Sequence, residues 1–127
     1  MTPGRRNALI AGGVLGALGV LAGTFGAHGL DGRISPERLA TFETGVRYHL
    51  FHAVALLALC ACGPVWPGRL TKAAAVCFSV GIVLFAGSLY ALAITGITLL
   101  GLITPFGGVL FIAGWVLVAA AAIRMRP

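Results

Sequence analysis

The chain alternates between long runs without a formal charge and short charged borders. Asn7 to Leu30 is one such run of 24 residues, Tyr48 to Gly68 a second of 21, and Ala73 to Ile123 a third of 51. A helix rising 1.5 Å per residue needs about 20 apolar residues to cross the hydrocarbon core of a bilayer. The first two runs each suit one crossing, and the third suits two. That third run divides at "TGITLLGLITP", where Gly96, Gly101 and Pro105 interrupt the pattern and Pro105 fits the first turn of a new helix. The pattern predicts an all-α membrane protein, a four-transmembrane-helix bundle forming a single domain over residues 1–127. The expected spans are about 7–29, 46–65, 71–94 and 104–123.

Composition agrees with this reading. The chain is 59% hydrophobic and 9% charged, with a mean hydropathy of +1.02, whereas a soluble domain carries about 25% charged residues. Charge then sets the orientation. Arg5, Arg6, Arg69, Lys72, Arg124 and Arg126 fall on one side of a four-span topology. The other side has Arg33, Arg38 and Arg47, balanced by Asp31, Glu37 and Glu43, the chain's three acids. Lys and Arg favour the cytoplasmic side, so both termini are expected in the cytoplasm. The basic residues are split among several membrane borders and form no patch, so the pI of about 10.3 does not indicate a nucleic-acid partner. The N-terminal segment has the outline of a signal peptide. A cleavage site after Ala27 would nevertheless need a small residue where Phe25 stands, so a retained first span is expected. Cys60, Cys62 and Cys77 fall toward the reducing side and read as small buried hydrophobes.

Glycine spacing bears on packing. Gly12, Gly16, Gly19, Gly23 and Gly26 recur at 4, 3, 4 and 3, a heptad stripe without side chains. Gly107, Gly114 and Ala121 repeat at seven in the last span. In lipid, small residues let helices approach closely, so the first helix is expected to be a central packing element. Its partner is either a helix of the same chain or a second subunit. The outer connection "SPERLATFETGV" offers Ser35 as N-cap and Pro36 as first helical residue, with Leu39, Phe42 and Val46 on one face. This predicts a short amphipathic helix lying in the outer interface between helices 1 and 2.

The remaining polar residues converge in the outer half. His28 ends the first span, Tyr48, His49 and His52 open the second, Ser88 and Tyr90 close the third, and Thr104 begins the fourth. Trp66 and Trp115 read as amphipathic anchors. Three functions compete for this cluster. It is a hydrogen-bonded clasp that fixes packing, a haem or transition-metal site through imidazoles, or the pathway of a small-solute channel or carrier. No carboxylate lies inside a span, and no CxxCH or HExxH pattern occurs. No nucleophile is paired with a base and an orienting acid, so an enzyme is not expected.

Five blocks in order carry a resemblance: "GTFGAHGL" (Gly23 to Leu30), "FETGVRYHLFHAVALL" (Phe42 to Leu57), "LFAGSLYAL" (Leu84 to Leu92), "ITPFGG" (Ile103 to Gly108) and "AGW" (Ala113 to Trp115). The chain resembles the domain of unknown function 423 family, small bacterial inner-membrane proteins related to a small mitochondrial transmembrane protein of animals. The resemblance implies fold and location and supplies no activity. The family usually carries Gln where this chain has His49, which implies that the metal alternative narrows to His28 and His52. The expectation is a non-catalytic accessory, assembly or binding protein without a cofactor, embedded in the lipid bilayer. It would pack against a membrane-protein partner or a second copy through the glycine seam. The alternative is a haem- or metal-binding redox protein.

Overall fold

The computed structural model describes residues 1–62 and 68–125; Trp66 and Arg126 lie outside the described residues. Four long helices account for most of the chain: α1 (Pro3–Thr24), α2 (Pro36–Ala61), α3 (Gly68–Thr95) and α4 (Thr104–Arg124). All four are long and apolar enough to cross a membrane. The structure is thus an all-α membrane bundle. The helices reach past the charge-free runs, so that Arg5 and Arg6 sit within α1 and Arg69 and Lys72 within α3. α1 and α2 start alike: the side chains of Thr2 and Ser35 accept hydrogen bonds from the backbone N–H of Arg5 and Arg38, and a proline follows each cap.

α1 does not stop at Thr24 but widens into a π-helical turn over Phe25–Leu30. The Phe25 ring folds back across this turn, where a methyl group on Gly29 would stand 2.7 Å from it. The chain reverses at Gly32, whose φ of +75° is in the left-handed region. Gly96 ends α3 in the same way with φ of +73°, its N–H donating to the Leu92 carbonyl. A short 3-10 turn, Thr98–Leu102, then leads into α4.

No separate interfacial helix precedes the second span. Residues 36–45 are the first turns of α2, which continues through Gly45 to Ala61. Gly45 is a notch and not a break: a methyl group there would lie 2.8 Å from the Tyr90 ring. The face with Leu39, Phe42 and Val46 meets protein rather than the bilayer interface. Phe42 is buried with Leu30 and Ala93, and Leu39 and Val46 pack against that group.

Successive helices run antiparallel, and glycines set their close contacts. Methyl groups on Gly12, Gly19 and Gly26 would meet Leu57, Leu50 and Phe42 of α2. Gly23 faces Val46, while Gly16 and Gly13 have open space above them. The heptad stripe is therefore mostly used within the chain. α1 is nonetheless the least buried of the four spans, so it is peripheral rather than central. α2 and α3 form the middle, with Leu56, Ala74 and Phe78 fully enclosed. α4 lies on α3, Gly107 against Phe85 and Gly114 against Phe78, while Gly81 of α3 receives Phe111.

Two arginines tie helix ends together. Arg5 Nε donates to the Cys60 carbonyl at 2.7 Å. Arg38 Nε donates to the Ala93 carbonyl at 2.7 Å and Nη2 to Ile94 at 2.6 Å. The last carbonyls of a helix have no partner within it, so each guanidinium satisfies the end of the neighbouring helix. The sequence repeats accordingly, Thr2-Pro3-Gly4-Arg5 and Ser35-Pro36-Glu37-Arg38. The two ties lie at opposite ends of the bundle. The basal end holds the start of α1 and the finish of α2 and α4, and the apical end holds the α1–α2 turn.

Candidate functional site

The polar groups of the interior are arranged in three hydrogen-bonded pairs. The first is centred on His52, buried at mid-length of α2. Trp115 of α4 donates its indole N–H to His52 Nε2 at 3.1 Å. Indole is a donor and never an acceptor, so Nε2 carries the lone pair and Nδ1 the proton. That Nδ1–H donates to the Tyr48 carbonyl one turn earlier, at 2.7 Å. The tautomer is fixed and both ring nitrogens are engaged.

Aromatic rings enclose this imidazole. Phe111 stacks on it with ring centroids 3.6 Å apart, and Phe78 and Trp115 stand 5.4 and 5.9 Å away. Tyr48 enters through its carbonyl and through its ring, which packs on Phe85 at 4.7 Å. Beside the cluster a lipid-facing groove of about 600 Å³ runs between α2 and α4, with Arg47, Tyr48 and Phe51 on its wall and His52 and Trp115 at its floor.

The second pair is His49 Nδ1 with the Tyr90 hydroxyl, 2.9 Å apart. His49 is as buried as His52. Its Nε2 has no hydrogen-bond partner among the described residues. The ring edge rests on α1, since a methyl group on Gly19 would approach His49 Cδ2 to 3.3 Å. The third pair joins α3 to α4: Ser88 and Thr104 hydroxyls lie 2.6 Å apart, and Ser88 also donates to the Phe85 carbonyl at 2.9 Å.

Six of the seven residues singled out in the sequence lie in or against these pairs; His28 does not. It sits exposed on the π-helical turn. Gly12 faces Leu57 and Gly19 faces Leu50, which sets His52 level with about residue 17 of α1. His28 is eleven residues further along, roughly 16 Å at 1.5 Å per residue. A single metal ion or haem iron cannot be held by both. With His52 Nε2 accepting from Trp115, the residues present do not fit that ligand set. Among the described residues no group of three or more His, Cys, Asp or Glu is placed to hold a metal ion.

Two features are not among the expectations from sequence. Trp115 looked like an interfacial anchor, yet it is half exposed with its N–H turned inward. The arginine ties were signalled by the repeated Ser/Thr-Pro-x-Arg start.

Comparison with known proteins agrees with this architecture. The family model described as "Protein of unknown function (DUF423)" matches residues 22–108. The chain is 45% identical over 118 residues to the UPF0382 membrane protein YwdK of Bacillus subtilis, covering 91% of this chain and 95% of that protein. It is 36% identical over 121 residues to the UPF0382 inner membrane protein YgdD of Escherichia coli K12, covering 95% and 92%. No solved structure matches. The chain, with its four apolar helices and the relatives it matches along nearly its whole length, belongs to the DUF423 family of multi-pass membrane proteins.

Proposed function

We propose that this protein is a non-catalytic accessory or assembly protein of the bacterial inner membrane, with both termini cytoplasmic. One observation carries the reading: the buried polar side chains are spent largely on one another. A catalytic or ligating site keeps a nucleophile, base or lone pair open for its substrate. Here His52 has neither nitrogen open, Ser88 is held by Phe85 and Thr104, and His49 is tied to Tyr90 through Nδ1 with Nε2 alone left unpaired. Such a network specifies one packing of the helices, which suits a protein whose product is its surface. The orientation rests on charge, because the basal end holds Arg5, Arg6, Arg69, Lys72 and Arg124, and all three acids lie toward the other end.

The stripe is taken by α2 at Gly12, Gly19 and Gly26, so the partner surface is the open flank of α1 beside it. Gly13 and Gly16 have open space above them, and small residues admit a second transmembrane helix. The test is co-purification from native membranes in mild detergent. A fixed partner should accompany the wild-type chain, or a second copy of it should. Gly16→Leu should release that partner while leaving the chain folded. A monomer isolated without any partner would sink the accessory reading, and a partner retained by Gly16→Leu would exclude this face.

A further inference from the structure

A second cavity lies at the basal end, apart from the histidine cluster. It has a volume of about 620 Å³ and is walled by the first turns of α1 and α3 and the last turns of α2, including Arg5, Ala8, Leu59, Lys72 and Ala75. Its wall charges have one sign. Arg5 is half-buried, and its hydrogen bond to Cys60 uses Nε, which leaves the N–H bonds of both Nη nitrogens for another acceptor. The Lys72 stem lies on the first turn of α1, where a methyl group on Gly4 would touch its Cε at 3.6 Å.

Among the described residues this arrangement has no acidic side chain to balance it, and the carbonyl end of α2 engages Arg5 through Nε. The start of a helix carries a partial positive charge and is stabilised by acidic residues in its first turn. Neither α1 nor α3 has an acidic residue there, whereas α2, at the apical end, has Glu37. The chain's three acids, Asp31, Glu37 and Glu43, all belong to the apical half. Two positive helix starts, a guanidinium and an ammonium thus meet around one cavity, opposite the single carbonyl end of α2 and with no acidic side chain among the described lining residues. The apolar lower wall of Ala8, Leu59 and Ala75 suits an aliphatic chain below a charged head.

We propose that this cavity binds a phosphate-bearing anion, held by Arg5 Nη and Lys72 Nζ. Two sources share that chemistry: the headgroup of an anionic phospholipid and a free phosphate. A basic pocket between transmembrane helices is suited to such headgroups.

The test uses the full chain purified in a neutral detergent, with thermal unfolding and native mass spectrometry as readouts. Phosphatidylglycerol should bind and raise the unfolding temperature, and phosphatidylcholine should not. Lys72→Gln, an exposed position, should weaken binding about fivefold, the loss expected for one basic contact to an anionic lipid. Arg124→Gln removes the same charge from the same end outside the cavity and should leave affinity nearly unchanged. Displacement of the lipid by millimolar inorganic phosphate identifies a free anion as the occupant. Binding that resists phosphate identifies the lipid. Equal losses in the two variants, or neither lipid preference nor a phosphate effect, would overturn the proposal.

Discussion

Trp115 and His52 are 63 residues apart in the chain and share one hydrogen bond of 3.1 Å, indole N–H to imidazole Nε2. This bond links α4 to α2, two helices otherwise joined through rings and through α3. It also decides which nitrogen of His52 bears the proton. The imidazole behaves as a relay of packing, tying Trp115 to the Tyr48 backbone across its own ring.

Trp115→Phe keeps an aromatic ring and removes the donor. It should cost about 0.5–2 kcal/mol, because a buried acceptor is left unpaired while interhelical bonds in membranes are individually modest. Adding His52→Phe should cost less than the sum of the two single changes, since no polar group is then stranded. Reversible unfolding in mixed micelles measures both, and strictly additive losses would show that the bond carries no coupling.

Gly19→Leu should disrupt α1–α2 packing within the chain. Even a methyl group at this position stands 2.6 Å from Leu50 Cδ2, and overpacking of that kind costs about 1–3 kcal/mol or more. Gly16→Leu enters open space and should leave unfolding near wild type. Size-exclusion profiles and thermal melts of the two variants side by side give the comparison.

Arg38→Met removes two charge-assisted bonds to the end of α3. The expected effect is local, about 1–2 kcal/mol given that one bond is solvent-exposed. Amide exchange of the last turn of α3 and of Gly96 should speed up while mid-helix amides stay protected. Arg38→Lys should recover little, since one ammonium cannot span the Ala93 and Ile94 carbonyls as a guanidinium fork does.

Gly96→Ala puts a side chain at a φ of +73° and within 3.5 Å of the Arg38 guanidinium carbon. The left-handed conformation alone costs about 1–2 kcal/mol for a residue with a Cβ. A melting temperature unchanged from wild type would show that the α3 terminus relaxes freely.

Fold class was legible because lipid imposes a length rule: runs free of charge near 20 residues must be helices that cross. The second helix shows where such reading stops. Ser35 and Pro36 announced a helix start, and Leu39, Phe42 and Val46 announced an apolar face. Periodicity cannot say whether that face meets lipid headgroups or Gly26 and Ala93. The same gap separated His28 from His52. Order along the chain put them at similar depth, but depth depends on helix register, which is set by Gly12 against Leu57 and Gly19 against Leu50. The π-helical turn had no sequence signature, and the inward turn of the Trp115 N–H depends on a partner 63 residues away.

Both arginine ties span 55 residues, and both reach forward to the far end of the next helix. Arg5 has no carbonyl to grasp until Cys60 has crossed the bilayer, and Arg38 has none until Ala93 and Ile94 have crossed in their turn. The order of the chain therefore makes the basal latch available one hairpin before the apical one. α2 and then α3 are thus fastened at their trailing ends by an arginine at the head of the helix before.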